Sequence, residues 1–266
     1  MKRKVLFVVE IILGISFLNA QELFTESYTL MGSAFELTVV ADDEVEAQEY
    51  IATAKNEIER IEFLISSWDS NSETSSINQN AGIKPVKVSE ELWDLINRSQ
   101  QISKITSGAF DLTFAAVDRI WKFDGSYVEM PNADLILASV SKIGYHQIQL
   151  NEKESTVFLP EKGMKIGFGA IGKGYAADRA KQLLEARGVV GGIINASGDM
   201  NTWGTQPDGS PWTIGIVNPM NKEKVFSWFS LEHNAVVTSG NYEKFIRIDG
   251  KRYSHIIDPR TGIPSN

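Results

Sequence analysis

Between Lys165 and Ala180 the chain reads KIGFGAIGKGYAADRA, with glycines at 167, 169, 172 and 174. No other stretch limits the fold as strongly. Glycines at this density make a turn that lets a second backbone or a ligand come close. The residues that follow, GYAADRAKQLLEARG, have helical spacing and close at Gly188. The chain must therefore turn tightly into a helix that starts at about Gly174. Gly167, Gly169 and Gly172 spell G-x-G-x-x-G, while Gly167, Gly172 and Lys173 spell G-x-x-x-x-G-K. A P-loop needs a Ser or Thr hydroxyl next, and Gly174 stands there instead. The dinucleotide fingerprint closes a first βα unit and has an acid about twenty residues on. Here the stretch lies deep in the chain, and Asp199, after GGIINASG, is a poor match for that acid. Two readings stay open. The turn packs a helix closely on a sheet, or it cradles an anion between Lys173 and the helix N-terminus.

Periodicity around this turn is mixed. SAFELTVVA alternates Phe35, Leu37 and Val39 as a strand does. The next segment places Ile51, Ala54, Ile58, Ile61 and Ile65 on one helical face. A polar, loop-like stretch follows, with Trp68 at its start. Ser89 caps a further helix through Leu92, Leu95 and Ile102, with Glu90 and Glu91 suiting the dipole of its first turn. QIQLNEKESTVFLP reads as two strands about a charged turn, GGIINA as a buried strand, and FIRIDGKRYSHII as a hairpin about Asp249-Gly250. Strands and helices mix without βαβ alternation, so the expected class is α+β.

Composition narrows the function. The net charge of −8 excludes a basic nucleic-acid footprint, so an anionic ligand needs a local site. With no cysteine, the chain has no disulfide, thiolate metal site or cysteine nucleophile. Residues 1–20 begin with Lys2, Arg3 and Lys4, run through a short apolar segment and end on Ala20, which reads as a secretory signal peptide. The domain proper is then 21–266, outside the cytoplasm, where a stray thiol is a hazard.

MGSAFEL, TSGAFD, GAIGKGYAADRA, NASGD, TSGNY and SHIIDPRTG follow one another in this order from Met31 to Gly262. Together they resemble the ApbE family of flavin transferases. The resemblance implies two intertwined α+β subdomains with an FAD site between them. It implies a magnesium-dependent FAD:protein FMN transferase, which moves FMN to a Thr or Ser hydroxyl of an exported partner protein and releases AMP. It implies redox-complex subunits at the membrane among the acceptors, and an enzyme that is periplasmic or held at the inner membrane facing the periplasm. A flavin-binding or scavenging protein, and a pyrophosphatase giving FMN and AMP, are the alternatives.

The family's FAD contacts fall here on Met31, Trp68, Ala109, Phe110, Asp111, Gly167, Lys173 and Ile257. Gly167 stands where the family often has Asp, so any contact there comes from backbone. Ala170 falls where a carbonyl helps to hold magnesium. A later Ala-Asp…Thr segment, which supplies the metal's side chains in the family, has no counterpart before Asn266. His255 is the expected catalytic group, taking the acceptor's proton or steadying the diphosphate. Asp178 is expected to cap or brace the helix, Asp258 to form a turn, and His146 and His233 to serve as surface or packing residues.

Overall fold

Alternation decides the main sheet. In β2 (Ser33–Ala41), Phe35, Leu37 and Val39 are buried while Ala34 and Glu36 face out. This strand pairs with β1 (Glu22–Leu30) on one side and with β6 (Gly191–Ala196) on the other. β7 (Asp199–Gly204) and β10 (Ala235–Val237) complete an antiparallel sheet of order β1-β2-β6-β7-β10. The structure, a computed structural model, describes residues 21–117, 120–123, 129–218, 221–231, 235–238 and 245–265. The expected signal peptide, His233, and Ser239 to Tyr242 of TSGNY lie outside these residues.

Two long helices cover the sheet. α1 (Glu44–Ile65) buries Ile51, Ala54, Ile58, Ile61 and Ile65, the face its spacing predicts. Asp43 caps it by accepting from the Glu46 amide at 2.9 Å. α5 (Gly172–Ala186) buries Ala176, Ala177, Ala180 and Leu184 against α1, β6 and β7. It starts at Gly172 rather than about Gly174, because the Gly172 amide already closes onto the Phe168 carbonyl at 2.6 Å. Asp178 braces it by accepting from the Asn201 amide on β7.

The stretch after Trp68 is not all loop. α2 (Glu73–Gln79) forms there, capped by Ser72, whose Oγ accepts from the Ser75 amide at 2.9 Å. Its sequence sign is Ser followed by Glu, a cap and an acidic first turn, in a segment too polar to show an apolar period. α3 (Glu90–Ile105) is capped by Ser89 as expected. β3 (Val86–Lys87), which lies between these helices in sequence, joins β4 (Gln149–Asn151) and β5 (Thr156–Phe158) in a small sheet of order β3-β5-β4.

A second, smaller core joins Trp121, Ile136, Ile246, Ile248 and Tyr253. It holds α4 (Ala133–Ser139) beside the hairpin of β11 (Phe245–Ile248) and β12 (Lys251–Ser254). Asp249 and Gly250, both at positive φ, make the expected turn. β8 (Trp212–Asn218) and β9 (Asn221–Leu231) form a separate hairpin. Mixed helices and antiparallel sheets make this an α+β fold, the class that the sequence predicts.

Charge ties the helices together. Arg60 on α1 bonds Glu57 at 2.7 Å and Glu91 on α3 at 2.6 Å. Glu91 also accepts from the Tyr175 hydroxyl of α5 at 2.9 Å. Arg60 first, with Tyr175 helping, holds the Glu91 carboxyl below its usual range. A depressed carboxyl contributes stability above its unfolded value, about pH 4.3, and loses it as pH falls through the folded value. Glu91→Gln should therefore flatten the acid side of the stability profile below about pH 5, as read by urea midpoints across pH. The chain entering the glycine turn is held by Asn78 of α2. Its side chain accepts from the buried Ile166 amide at 2.8 Å and donates to the Ile166 carbonyl at 3.0 Å. Asn78→Ala strands both groups and should lower unfolding free energy by about 1–3 kcal/mol, measured by denaturant titration.

Candidate active site

The end of α1 is closed by side chains from the polar stretch after it. Thr74 donates to the Leu64 carbonyl at 3.1 Å and Ser72 to the Ser66 carbonyl at 2.5 Å. Ser66 Oγ in turn accepts from the amides of Trp68 and Asp69 at 3.2 and 3.0 Å. This local turn is why Trp68 projects outward, 80% exposed, at the mouth of an open cavity of about 490 Å³. Glu62 from α1, Met31 from the β1–β2 turn, and Phe168, Gly169 and Lys173 from the glycine turn line it as well.

The four glycines divide the work. A Cβ on Gly172 would lie 2.6 Å from Ile65 Cδ1, so this glycine lets α5 start hard against the end of α1. A Cβ on Gly167 would lie 2.9 Å from Ala115 Cβ, and the Gly167 amide donates to the Leu112 carbonyl at 3.1 Å. Gly167 therefore packs on the short 3-10 turn Leu112–Ala116, and its N–H is already used. Gly169 and Gly174 instead have no heavy atom within 4 Å of a Cβ position. Gly169 opens onto the larger cavity, and Gly174 onto a second of about 240 Å³. Gly167 and Gly172 thus fit the packing reading, while Gly169 and Gly174 leave the backbone open, as the anion reading requires.

Lys173 stands between the two cavities. Its Nζ lies 3.4 Å from Asp199 Oδ2 and donates to the Ala196 carbonyl at 3.3 Å. An ammonium has three donors, so one N–H remains for a ligand in the larger cavity. No side chain caps α5, whose N-cap is Ile171. The positive end of the helix dipole is therefore left beside Lys173. Asp199, too distant in pattern to be a ribose acid, is the lysine's counter-charge.

The expected site residues separate into groups. Met31, Trp68 and Lys173 line the larger cavity, and Ala170 the smaller. Ala109, Phe110, Asp111, Gly167, His255 and Ile257 line neither. Asp111 is spent inside the fold. Its Oδ1 accepts from the Thr113 amide and hydroxyl at 2.8 and 2.6 Å, and its Oδ2 from the Tyr145 amide at 2.9 Å. Ala109 is exposed and Phe110 half-buried beside it. The TSGAFD segment meets the IDPRTG segment, since a Cβ on Gly108 would lie 3.6 Å from Arg260 Cγ. Arg260 pairs with Asp258 at 2.6 Å and holds that carboxyl below its usual range, so Asp258 locks a turn. His255 is exposed just after β12, its ring edge-on to Phe123 with centroids 6.5 Å apart. Ile257 packs against the smaller core.

Magnesium does not fit the described residues. Among them no three His, Cys, Asp or Glu side chains gather as a metal site. Near Ala170, Asp178 is bonded by Asn201 and Asp199 by Lys173. Magnesium demands near-octahedral oxygen ligation, which two engaged carboxylates and a carbonyl do not supply.

Sequence reasoning passed over Glu62. Its sign was available, since it is a carboxylate in the last turn of a helix, where the dipole disfavours it.

The chain is similar to known proteins in sequence and in fold. An FAD:protein FMN transferase of Klebsiella pneumoniae (strain 342) is 32% identical over 248 residues, covering 93% of this chain and 75% of its own. A second from the same strain is 30% identical over 239 residues, covering 88% of this chain and 68% of its own. The crystal structure of the ApbE protein of Thermotoga maritima superposes with a TM-score of 0.80 at 30% identity, over 92% of this chain and 79% of that one. The apo form of the Pseudomonas stutzeri flavinyl transferase ApbE does so with a TM-score of 0.79 at 26% identity, over 92% and 77%. Residues 31–266, which hold the glycine turn, the tryptophan-walled cavity and the lysine, match the ApbE family throughout, and the chain belongs to that family.

Proposed function

We propose that the protein is an FAD:protein FMN transferase. The observation that carries this reading is the larger cavity, where an exposed indole, an open glycine and a lysine at an uncapped helix start meet. A planar ring system stacks on Trp68. The diphosphate lies against Gly169 and Lys173, where the missing Cβ, the ammonium and the helix dipole all favour an anion. In an acidic chain this is a local attraction that bulk charge would oppose.

The acceptor's Thr or Ser oxygen attacks the FMN-side phosphorus. The bond from that phosphorus to the bridging oxygen breaks, AMP leaves, and FMN is joined to the acceptor as a phosphoester. The acceptor's proton passes to His255, the base that the family resemblance implies; this residue is exposed and lies outside the lining of the larger cavity, so the acceptor segment must reach both. Lys173 offsets the charge on the diphosphate. Magnesium, implied by family resemblance, has no step here because the described residues offer it too few oxygens. The basic start, apolar run and absence of cysteine support action outside the cytoplasm, at or near the inner membrane. Acceptors are then exported flavoproteins, redox-complex subunits among them.

Incubation of the chain with FAD, magnesium and a Thr-containing acceptor domain should leave covalent fluorescent flavin on the acceptor in a denaturing gel. Free FMN would mean hydrolysis, and intact bound FAD a binding protein. Lys173→Met should weaken FAD binding about tenfold or more, read by calorimetry. His255→Ala should slow transfer on the order of 100-fold while FAD affinity stays near wild type, and equal loss of both would remove His255 from the proton transfer.

A further inference from the structure

Glu62 is a carboxylate that stability alone does not explain. It sits in the last turn of α1, where the helix dipole opposes negative charge, and no basic residue shares that turn. Its side chain nevertheless lines the larger cavity. Oε2 accepts from the Met31 amide at 2.9 Å. That bond holds Met31 at φ 51°, a left-handed conformation uncommon outside glycine and often found at functional sites. Oε1 has no hydrogen bond among the described residues, so an acceptor oxygen remains for a ligand.

The cavity is thus polarised. Lys173 is the cation in its lining and Glu62 the carboxylate. An anionic diphosphate is drawn to the first and repelled by the second. The part of the ligand that meets Glu62 must bring hydrogen-bond donors and no phosphate. Both halves carry such donors, the flavin in its ring imide N–H and ribityl hydroxyls and the adenosine in its amino group and ribose hydroxyls; the larger flavin ring offers more face to the exposed indole of Trp68, which shares that cavity.

We propose that Glu62 is a specificity-determining residue, which accepts a hydrogen bond from the flavin half of the dinucleotide and so sets the direction in which it lies. This rests on the assignment of the cavity to FAD. The carboxylate also penalises an inverted ligand, since a diphosphate at Glu62 would place like charges together.

The test uses the full chain and its Glu62→Gln and Glu62→Ala variants, titrated with FAD, riboflavin, lumiflavin and ADP. Glu62→Gln keeps an acceptor for the Met31 amide, so it decides the matter if Glu62→Ala fails to fold. Both variants should weaken FAD and riboflavin about tenfold or more, the scale of a hydrogen bond to a charged group, with ADP unchanged. Parallel weakening of lumiflavin, which lacks the ribityl chain, assigns the bond to the imide; unchanged lumiflavin assigns it to the ribityl hydroxyls. Either result supports the proposal. Wild-type affinity for riboflavin in Glu62→Gln overturns it, and so does an equal loss for ADP, which would leave Glu62 only the Met31 turn to hold. A wild-type chain that binds no FAD would instead defeat the assignment of the cavity, and the present proposal with it.

Discussion

The contact between Gly172 and Ile65 is the constraint on which the site depends. Helix axes ordinarily pack 8–10 Å apart because side chains intervene. At the start of α5 there is no side chain, and the Ile65 methyl fills the place a Cβ would take. Two segments distant in sequence are thereby brought to one cavity. The end of α1 contributes Glu62 and the turn to Trp68, and the start of α5 contributes Gly169 and Lys173. Alanine at 172 would need the Ile65 methyl to move aside, and a bulkier residue would press on Phe168 and Met31 as well, both of which line the cavity.

The same contact explains why the glycine stretch satisfies neither nucleotide motif that it superficially matches. In a P-loop or a dinucleotide fold the glycines serve a strand entering a helix within a parallel sheet. Here α5 covers an antiparallel sheet, and two of its four leading glycines are occupied with protein packing. The other two face open space. A helix start with an unused positive end, a lysine and an open backbone attracts phosphate in any fold. The features that favour an anion are therefore shared with those motifs while the architecture is not.

Charge within the site is arranged in opposition. Asp199 and the Ala196 carbonyl hold Lys173 in place, so that a long flexible side chain needs less ordering when a ligand arrives. Glu62 lies on the α1 side of the same cavity. The charge network of Arg60, Glu57, Glu91, Arg179 and Tyr175 ties α1, α3 and α5 together, and its Tyr175 also lines the smaller cavity.

Much of the fold was legible in local pattern. Alternation in SAFELTVVA, the isoleucine face of α1, the Ser89 cap and the Asp249-Gly250 turn each depend on neighbours within a few residues, so the sequence alone specified them. The helix at Glu73–Gln79 escaped because its stability comes from Ser72 and from contacts with the end of α1, not from an apolar period. At the site, the sequence by itself marked the glycines, Lys173 and Trp68 as unusual. Only the tertiary structure decided which glycines pack and which stay open, because a missing Cβ has meaning only beside the atom that would have met it. It likewise decided that Asp111 is consumed by Thr113 and Tyr145, and that Glu62 shares a cavity with Lys173. Such roles depend on partners that are far away along the chain, and folding alone brings them within reach.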